Sequence, residues 1–261
     1  MFSEIKETYA TSARFVRALP LIAALPVLAE AAQHVAEWRI GMYDSLAQAS
    51  AVEAHPLRMG FGYVKTAALL LICYWVWRYF GLRGDTARAR RLEAGAVASF
   101  VPVVLFGVVM MMIDSRLGEA LGAVLPGGGA QLLAIFGVVF ALMAFELLFA
   151  PWKVASALDN RRLDMGRSLA IMRGSFGWSF AFLLAMFLPL MILHYLLGGF
   201  AIGAPPAVSA ALLVVDCLVV GALAVVLPAT DFMLARRAAA KRGVDLAEQG
   251  AGLPRAVPAR A

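Results

Sequence analysis

The chain is poor in the residues on which most soluble chemistry is built. It has two cysteines and three histidines among 261 residues. Cys73 and Cys217 stand alone inside apolar runs, so neither a disulfide framework nor a thiolate metal site is expected. His34, His55 and His194 are too few for a His-Glu-x-x-His helix or a histidine-rich iron centre. Charge is scarce as well: 15% of residues are Asp, Glu, Lys or Arg, against about 25% in an ordinary soluble domain. No glycine-rich phosphate loop follows a strand-like run, and no long apolar segment alternates with a period of two, which argues against a β-barrel.

What fills the space is apolar. Hydrophobic residues make up 62% of the chain, and the mean hydropathy is +0.80. A soluble fold of this size has too little interior to hide that surface, so the expected class is an all-α integral membrane bundle. A membrane helix needs about 20 mostly apolar residues to cross about 30 Å of hydrocarbon. Six segments qualify, at about 15–36, 59–80, 96–113, 131–150, 176–197 and 208–227. Residues 1–242 then form one six-span domain, and the Ala-, Gly- and Pro-rich stretch 243–261 reads as a disordered tail. A cleaved signal peptide over the first segment is the alternative, with Ala29-Glu30-Ala31 as its cleavage site; Glu4, Glu7, Pro20 and Pro26 argue against it.

Arginine and lysine set the orientation. The net charge of +6 comes from 23 basic and 17 acidic residues. With the N-terminus inside, 19 of the 23 basic residues fall on inner segments, leaving Arg39, Arg58 and Arg116 outside and Lys65 within the second span. This predicts a multi-pass protein of a bacterial cytoplasmic (inner) membrane with both termini cytoplasmic. Trp75, Trp77, Tyr79, Trp152 and Trp178 mark the inner interface, and Trp38, Tyr43, Phe61 and Tyr63 the outer one. The basic balance belongs to topology, so no nucleic-acid partner is implied.

The spans group into three helix pairs. Arg90-Arg91-Leu92-Glu93-Ala94-Gly95 and Arg161-Arg162-Leu163-Asp164-Met165-Gly166 share a pattern at a separation of 71 residues. The echo reads either as a helix-hairpin repeat or as a chance match between two arginine-rich loops. Pro20, Pro26, Pro102 and Pro189 fall in the first, third and fifth spans, where they shape packing or act as hinges. Trp152–Arg173 is too charged to span and reads as a cytoplasmic interfacial helix. Arg161, Arg162, Arg167 and Arg173 would meet anionic lipid headgroups there; a solvated loop is the alternative. The outer stretch from Arg39 to Arg58 reads as a short surface helix, and Pro126–Gly129 as a turn.

The segments Leu148-Phe149-Ala150-Pro151-Trp152 and Ser168-Leu169-Ala170-Ile171-Met172-Arg173-Gly174, followed by Phe176 and Trp178, carry a resemblance. They are similar to the pre-helix segment of bacterial six-helix proteins related to the membrane domain of glycerophosphodiester phosphodiesterases. About 30 residues plus the span count carry the likeness, which implies a fold rather than a role. The phosphodiesterase's catalytic domain has no counterpart in this sequence, so no catalytic residue carries over and a non-enzymatic protein is expected.

Ionisable residues inside spans cost about 2.5–3.5 kcal/mol each, and so are the first candidates for function. They are Glu30 and His34 on the first span, Lys65 on the second, Glu146 on the fourth, His194 on the fifth and Asp216 on the sixth. Glu30 and Lys65 each lie about 9 Å below the outer edge, at one level, which predicts an ion pair between neighbouring antiparallel helices. Two readings follow. In one, Glu30, His34, Lys65, His194 and Asp216 line an outward polar cavity, the site of a small transporter or channel. In the other, the charges are structural, and the protein's role is lipid or partner interaction through its basic cytoplasmic face. Haem ligation between His34 and His194 is a third reading; no cofactor or metal is otherwise expected.

Overall fold

The computed structural model describes residues 1–125 and 128–247, apart from the side chains of 119, 130 and 132. Its described residues form helices and no strand: α1 (Phe2–Ala18), α2 (Pro20–Arg39), α3 (Leu46–Ala51), α4 (Pro56–Gly81), α5 (Thr86–Ala89), α6 (Ala94–Val124), α7 (Gly129–Leu147), α8 (Ala150–Ala157), α9 (Met165–Met172), α10 (Phe176–Ala201) and α11 (Pro206–Ala240). Four of these, α4, α6, α10 and α11, are long and apolar enough to cross a membrane, and the number rises to six if each of two bent pairs is one span. The chain is thus an all-α, multi-pass membrane bundle. Large apolar side chains such as Leu21, Leu133, Phe200 and Leu218 face outward, as a lipid solvent permits and water does not.

The bent pairs fall where the sequence breaks helical geometry. The expected first segment, 15–36, straddles a 98° turn between α1 and α2. Pro20 takes the first position of α2, where its missing N–H costs nothing, and its ring disfavours helical backbone at Leu19. Helix α1 buries Thr8, Ser12 and Phe15 at helical spacing, with Glu4, Ile5, Thr11 and Ala18 partly covered beside them and the opposite face exposed. Ion pairs from Glu7 to Arg236 at 2.9 Å and from Glu4 to Arg237 at 2.6 Å fasten it to α11.

Helix α11 is the axis of the bundle. It packs on α1, α2, α4, α8, α9 and α10, and over half of its most apolar stretch is enclosed. Its 35 residues extend about 52 Å, well beyond the hydrocarbon. The apolar run ends near Leu227, but the helix continues through Pro228 to Ala240. At Gly221 a Cβ would collide with Val27 Cγ2, so this glycine sets how closely α2 and α11 approach. The pairs α2 with α4, α6 with α7 and α10 with α11 pack as three hairpins.

The segment from Trp152 to Arg173 folds as two short helices rather than one. Helix α8 bends 55° from α7 and is buried among α4, α6 and α11. Its Lys153, on the stretch expected to lie along the cytoplasmic interface, is enclosed, 3.0 Å from Asp231 and 3.9 Å from Glu146. The Arg90–Gly95 and Arg161–Gly166 echoes place their acids, Glu93 and Asp164, at the N-caps of α6 and α9; only Asp164 caps, accepting from Arg167 N at 2.8 Å. Short helix α3 occupies the loop from Arg39 to Arg58. Of the expected tail, residues 243–247 dock, with Leu246 buried and its carbonyl accepting from Asn160 Nδ2 at 3.2 Å. Residues 248–261, like Pro126 and Gly127 of the expected turn, lie outside the described residues.

Candidate functional site: a buried polar cluster

Four helices deliver charge to one place, near the end of the bundle opposite the arginine-rich loops. Helix α2 presents Glu30, Gln33, His34 and Glu37 at spacing i, i+3, i+4 and i+7, which puts all four on one face. That face is buried against α4 and α11. Helix α4 contributes Arg58 and Lys65, also on one face; α10 contributes His194, α11 Asp216, and the loop after α2 Tyr43.

The contacts are continuous. Lys65 Nζ lies 3.1 Å from Glu30 Oε2, the pair expected from equal depth, and donates to Oε1 at 3.4 Å. His34 Nε2 is 3.0 Å from Asp216 Oδ2 and 3.5 Å from Glu30 Oε1. The other carboxylate oxygen of Asp216 is 2.7 Å from His194 Nδ1. On the far side of the His34 ring, Nδ1 is 3.1 Å from Glu37 Oε2 and 2.9 Å from the Tyr43 hydroxyl. Glu37 accepts further from Tyr43 at 2.5 Å, Gln33 at 2.8 Å and Arg58 at 3.1 Å. All five sequence candidates, Glu30, His34, Lys65, His194 and Asp216, therefore meet in one network.

Burial makes this arrangement costly unless it is balanced. Asp216 is 0% exposed, Glu30 1% and Glu37 3%, whereas the Lys65 and His194 side chains retain 20% each. Three carboxylates face two permanently charged partners, Lys65 and Arg58, so the cluster is one positive charge short of neutrality. Each ring nitrogen of His34 faces a carboxylate, so either neutral tautomer leaves a lone pair against an anion. A proton or another cation closes the deficit. Outside the spans, burial and then the neighbouring Glu37 carboxylate push the Tyr43 hydroxyl above its usual ionisation range, which keeps it a donor.

Residues 33, 37, 43 and 58 were not expected in this site. Arg58 belongs to the expected outer loop and Tyr43 to the expected outer membrane interface, and the sequence does not single out Glu37. The stripe from Glu30 to Glu37 on an apolar helix is the signal that announces them. The geometry leaves no place for haem between His34 and His194, because both rings converge on one carboxylate.

The basic end behaves differently. Arg161 is exposed and pairs with Asp159 at 3.3 Å; Arg167 donates to the Arg162 carbonyl at 2.6 Å; the Arg173 carbonyl accepts from Arg242 at 2.7 Å. Arg162, Arg167 and Arg242 border a cavity of about 540 Å³ with Asn160, Ile171 and Asp245. Arg161 and Arg173 do not line it. No protein-family model matches the chain, and no curated protein or solved structure matches it.

Proposed function

We propose that this chain is a small cation transporter of a bacterial cytoplasmic membrane, with its arginine-rich loops and both termini on the cytoplasmic side. The reading is non-enzymatic. The observation that carries it is the charge deficit: three buried carboxylates from α2 and α11 against two fixed cations, with a carboxylate at each nitrogen of His34. A purely structural pair needs only Glu30 and Lys65. Buried ionisable groups beyond such a pair cost stability and mark ion or proton pathways by default.

Access supports the same reading. A groove of about 430 Å³ between α2 and α11, bordered by Val35, Trp38, Arg39 and Val214, reaches His34, and His194 opens the other edge of the cluster. Purified protein in vesicles loaded with a pH-sensitive or metal-sensitive dye tests the proposal. Wild type dissipates an imposed cation gradient and His34→Gln does not. Equal flux in both, or none above protein-free vesicles, rejects it.

A second reading rests on the 540 Å³ cavity at the basic end. There Arg162, Arg167 and Arg242 form a guanidinium-rich rim suited to an anionic lipid headgroup. It predicts salt-sensitive binding of anionic lipid, weakened by neutralising Arg162 and Arg167; binding indifferent to both changes rejects it.

A further inference from the structure

Deepening the transport reading above, and resting on it, we propose that the cation is a divalent transition metal held by Glu30, His34, His194 and Asp216. The donor set is two imidazole nitrogens and two carboxylates, brought together from α2, α10 and α11. Ligand atoms of Glu30, His194 and Asp216 lie within 4.8 Å of one another. His34 Nε2 joins them at 3.0 Å from Asp216 and 3.5 Å from Glu30. A tetrahedral ion with ligands at about 2.0–2.1 Å spaces its donors roughly 3.3–3.4 Å apart. In the structure Asp216 offers one oxygen to His194 at 2.7 Å and the other to His34 at 3.0 Å, with 3.5 Å between His34 and Glu30. The carboxylate thus bridges the two imidazoles, and an ion would take the place of these hydrogen bonds as the side chains rotate toward it.

The ligand chemistry selects the metal class. Magnesium and calcium seek all-oxygen shells, whereas mixed imidazole and carboxylate donors suit zinc, manganese or ferrous iron. The outer contacts fit as well. Glu37 accepts from His34 Nδ1, and Tyr43, Gln33 and Arg58 hold Glu37 in place. A carboxylate behind a histidine fixes the tautomer and aims its other nitrogen at the metal.

Glu30 Oε2, buried and within ion-pair distance of Lys65, receives no hydrogen bond, so it has lone pairs to give. The Lys65 ammonium competes for the same carboxylate. That competition limits affinity, as a site that must release its ion requires; a dication fills the deficit of one positive charge and leaves one in excess, which limits affinity further.

The test uses the full-length protein in detergent, stripped with chelator and titrated with Co²⁺ and then Zn²⁺. Wild type is expected to bind one ion per chain, with the visible absorption of low-coordinate cobalt, bleached by zinc. Glu37→Gln should weaken binding by about 10–100-fold and His194→Gln by more. His55→Gln, at an exposed position, should leave it unchanged. A featureless cobalt spectrum overturns the proposal, as does binding that survives His194→Gln or is lost with His55→Gln. Asp216→Asn is a fourth variant; should it fail to fold, the wild-type spectrum and His194→Gln, at a side chain one-fifth exposed, still decide. Metal binding without flux in vesicles upholds this inference and removes the transport reading; proton flux without metal binding does the reverse.

Discussion

Replacing Lys65 by Met deletes a cation and keeps its aliphatic bulk. The ammonium is 3.1 Å from Glu30 Oε2, where Coulomb's law at an effective dielectric of 20 gives roughly 5 kcal/mol of gross attraction. Desolvation offsets much of this, but Glu30 is 1% exposed and stays behind with its charge. Breaking a buried pair from one side costs about 3–5 kcal/mol. Lys65, one-fifth exposed, lets some water reach the carboxylate, so about 2–4 kcal/mol is expected. Glu30→Gln alone should cost about 1 kcal/mol, because the freed lysine can reach toward water. Adding Glu30→Gln to Lys65→Met should recover about 1–3 kcal/mol, since no orphaned carboxylate remains. At about 2–4 °C per kcal/mol for a chain of this size, Lys65→Met lowers Tm by on the order of 10 °C and the double variant recovers half or more. Thermal unfolding in detergent, followed by helical circular dichroism, measures the cycle. Strictly additive effects would show that the two groups do not depend on each other, and the reasoning fails.

Other expectations follow from single contacts. Gly221→Ala should separate α2 from α11 and cost about 1–3 kcal/mol, and Val27→Ala in the same chain should restore Tm; no restoration would place the strain elsewhere. Because burial pushes the Tyr43 hydroxyl to ionise only at higher pH than usual, its contribution to stability is fully present below pH about 10 and lost as pH climbs toward the raised folded value. Wild type should therefore lose more stability than Tyr43→Phe between pH 9 and 12, and parallel curves would refute this. Cysteines introduced at Arg90 and Arg161, in a chain lacking Cys73 and Cys217, should react with an impermeant reagent from the same side of the membrane. Opposite-side labelling contradicts the proposed topology.

Depth along a helix is legible in sequence because the rise per residue is fixed, and that is how Glu30 and Lys65 are placed at one level. Rotation about the helix axis is not fixed by hydropathy when a span is apolar all round. Hence His194 and Asp216 could be grouped with His34 as candidates for one polar cavity, but the hydrogen bonds that join them could not be read. Glu37 and Arg58 were hidden for another reason: they sit at segment ends, where charge is ordinary, and only tertiary packing buries one of them. Lys153 shows the same effect at the basic end. The charge of its partner Asp231 lies past the last apolar run, where the sequence gives no sign that α11 continues. The break at Leu19 was written in Pro20, yet the apolar residues on either side of it read as one segment. The helix-rich fold itself followed from composition, because no soluble core of this size absorbs so much apolar surface.

The central claim is that the buried carboxylates serve a cation rather than the architecture. Asp216→Asn separates these roles, since the amide keeps the shape and still offers a donor and an acceptor to His194 and His34. Cation flux into vesicles and Tm should be measured on the same preparation of this variant and wild type. The account predicts flux reduced to the protein-free background with Tm within a few degrees of wild type, about 1–2 kcal/mol. Flux retained at the wild-type rate, or lost only in proportion to unfolded protein, would contradict it.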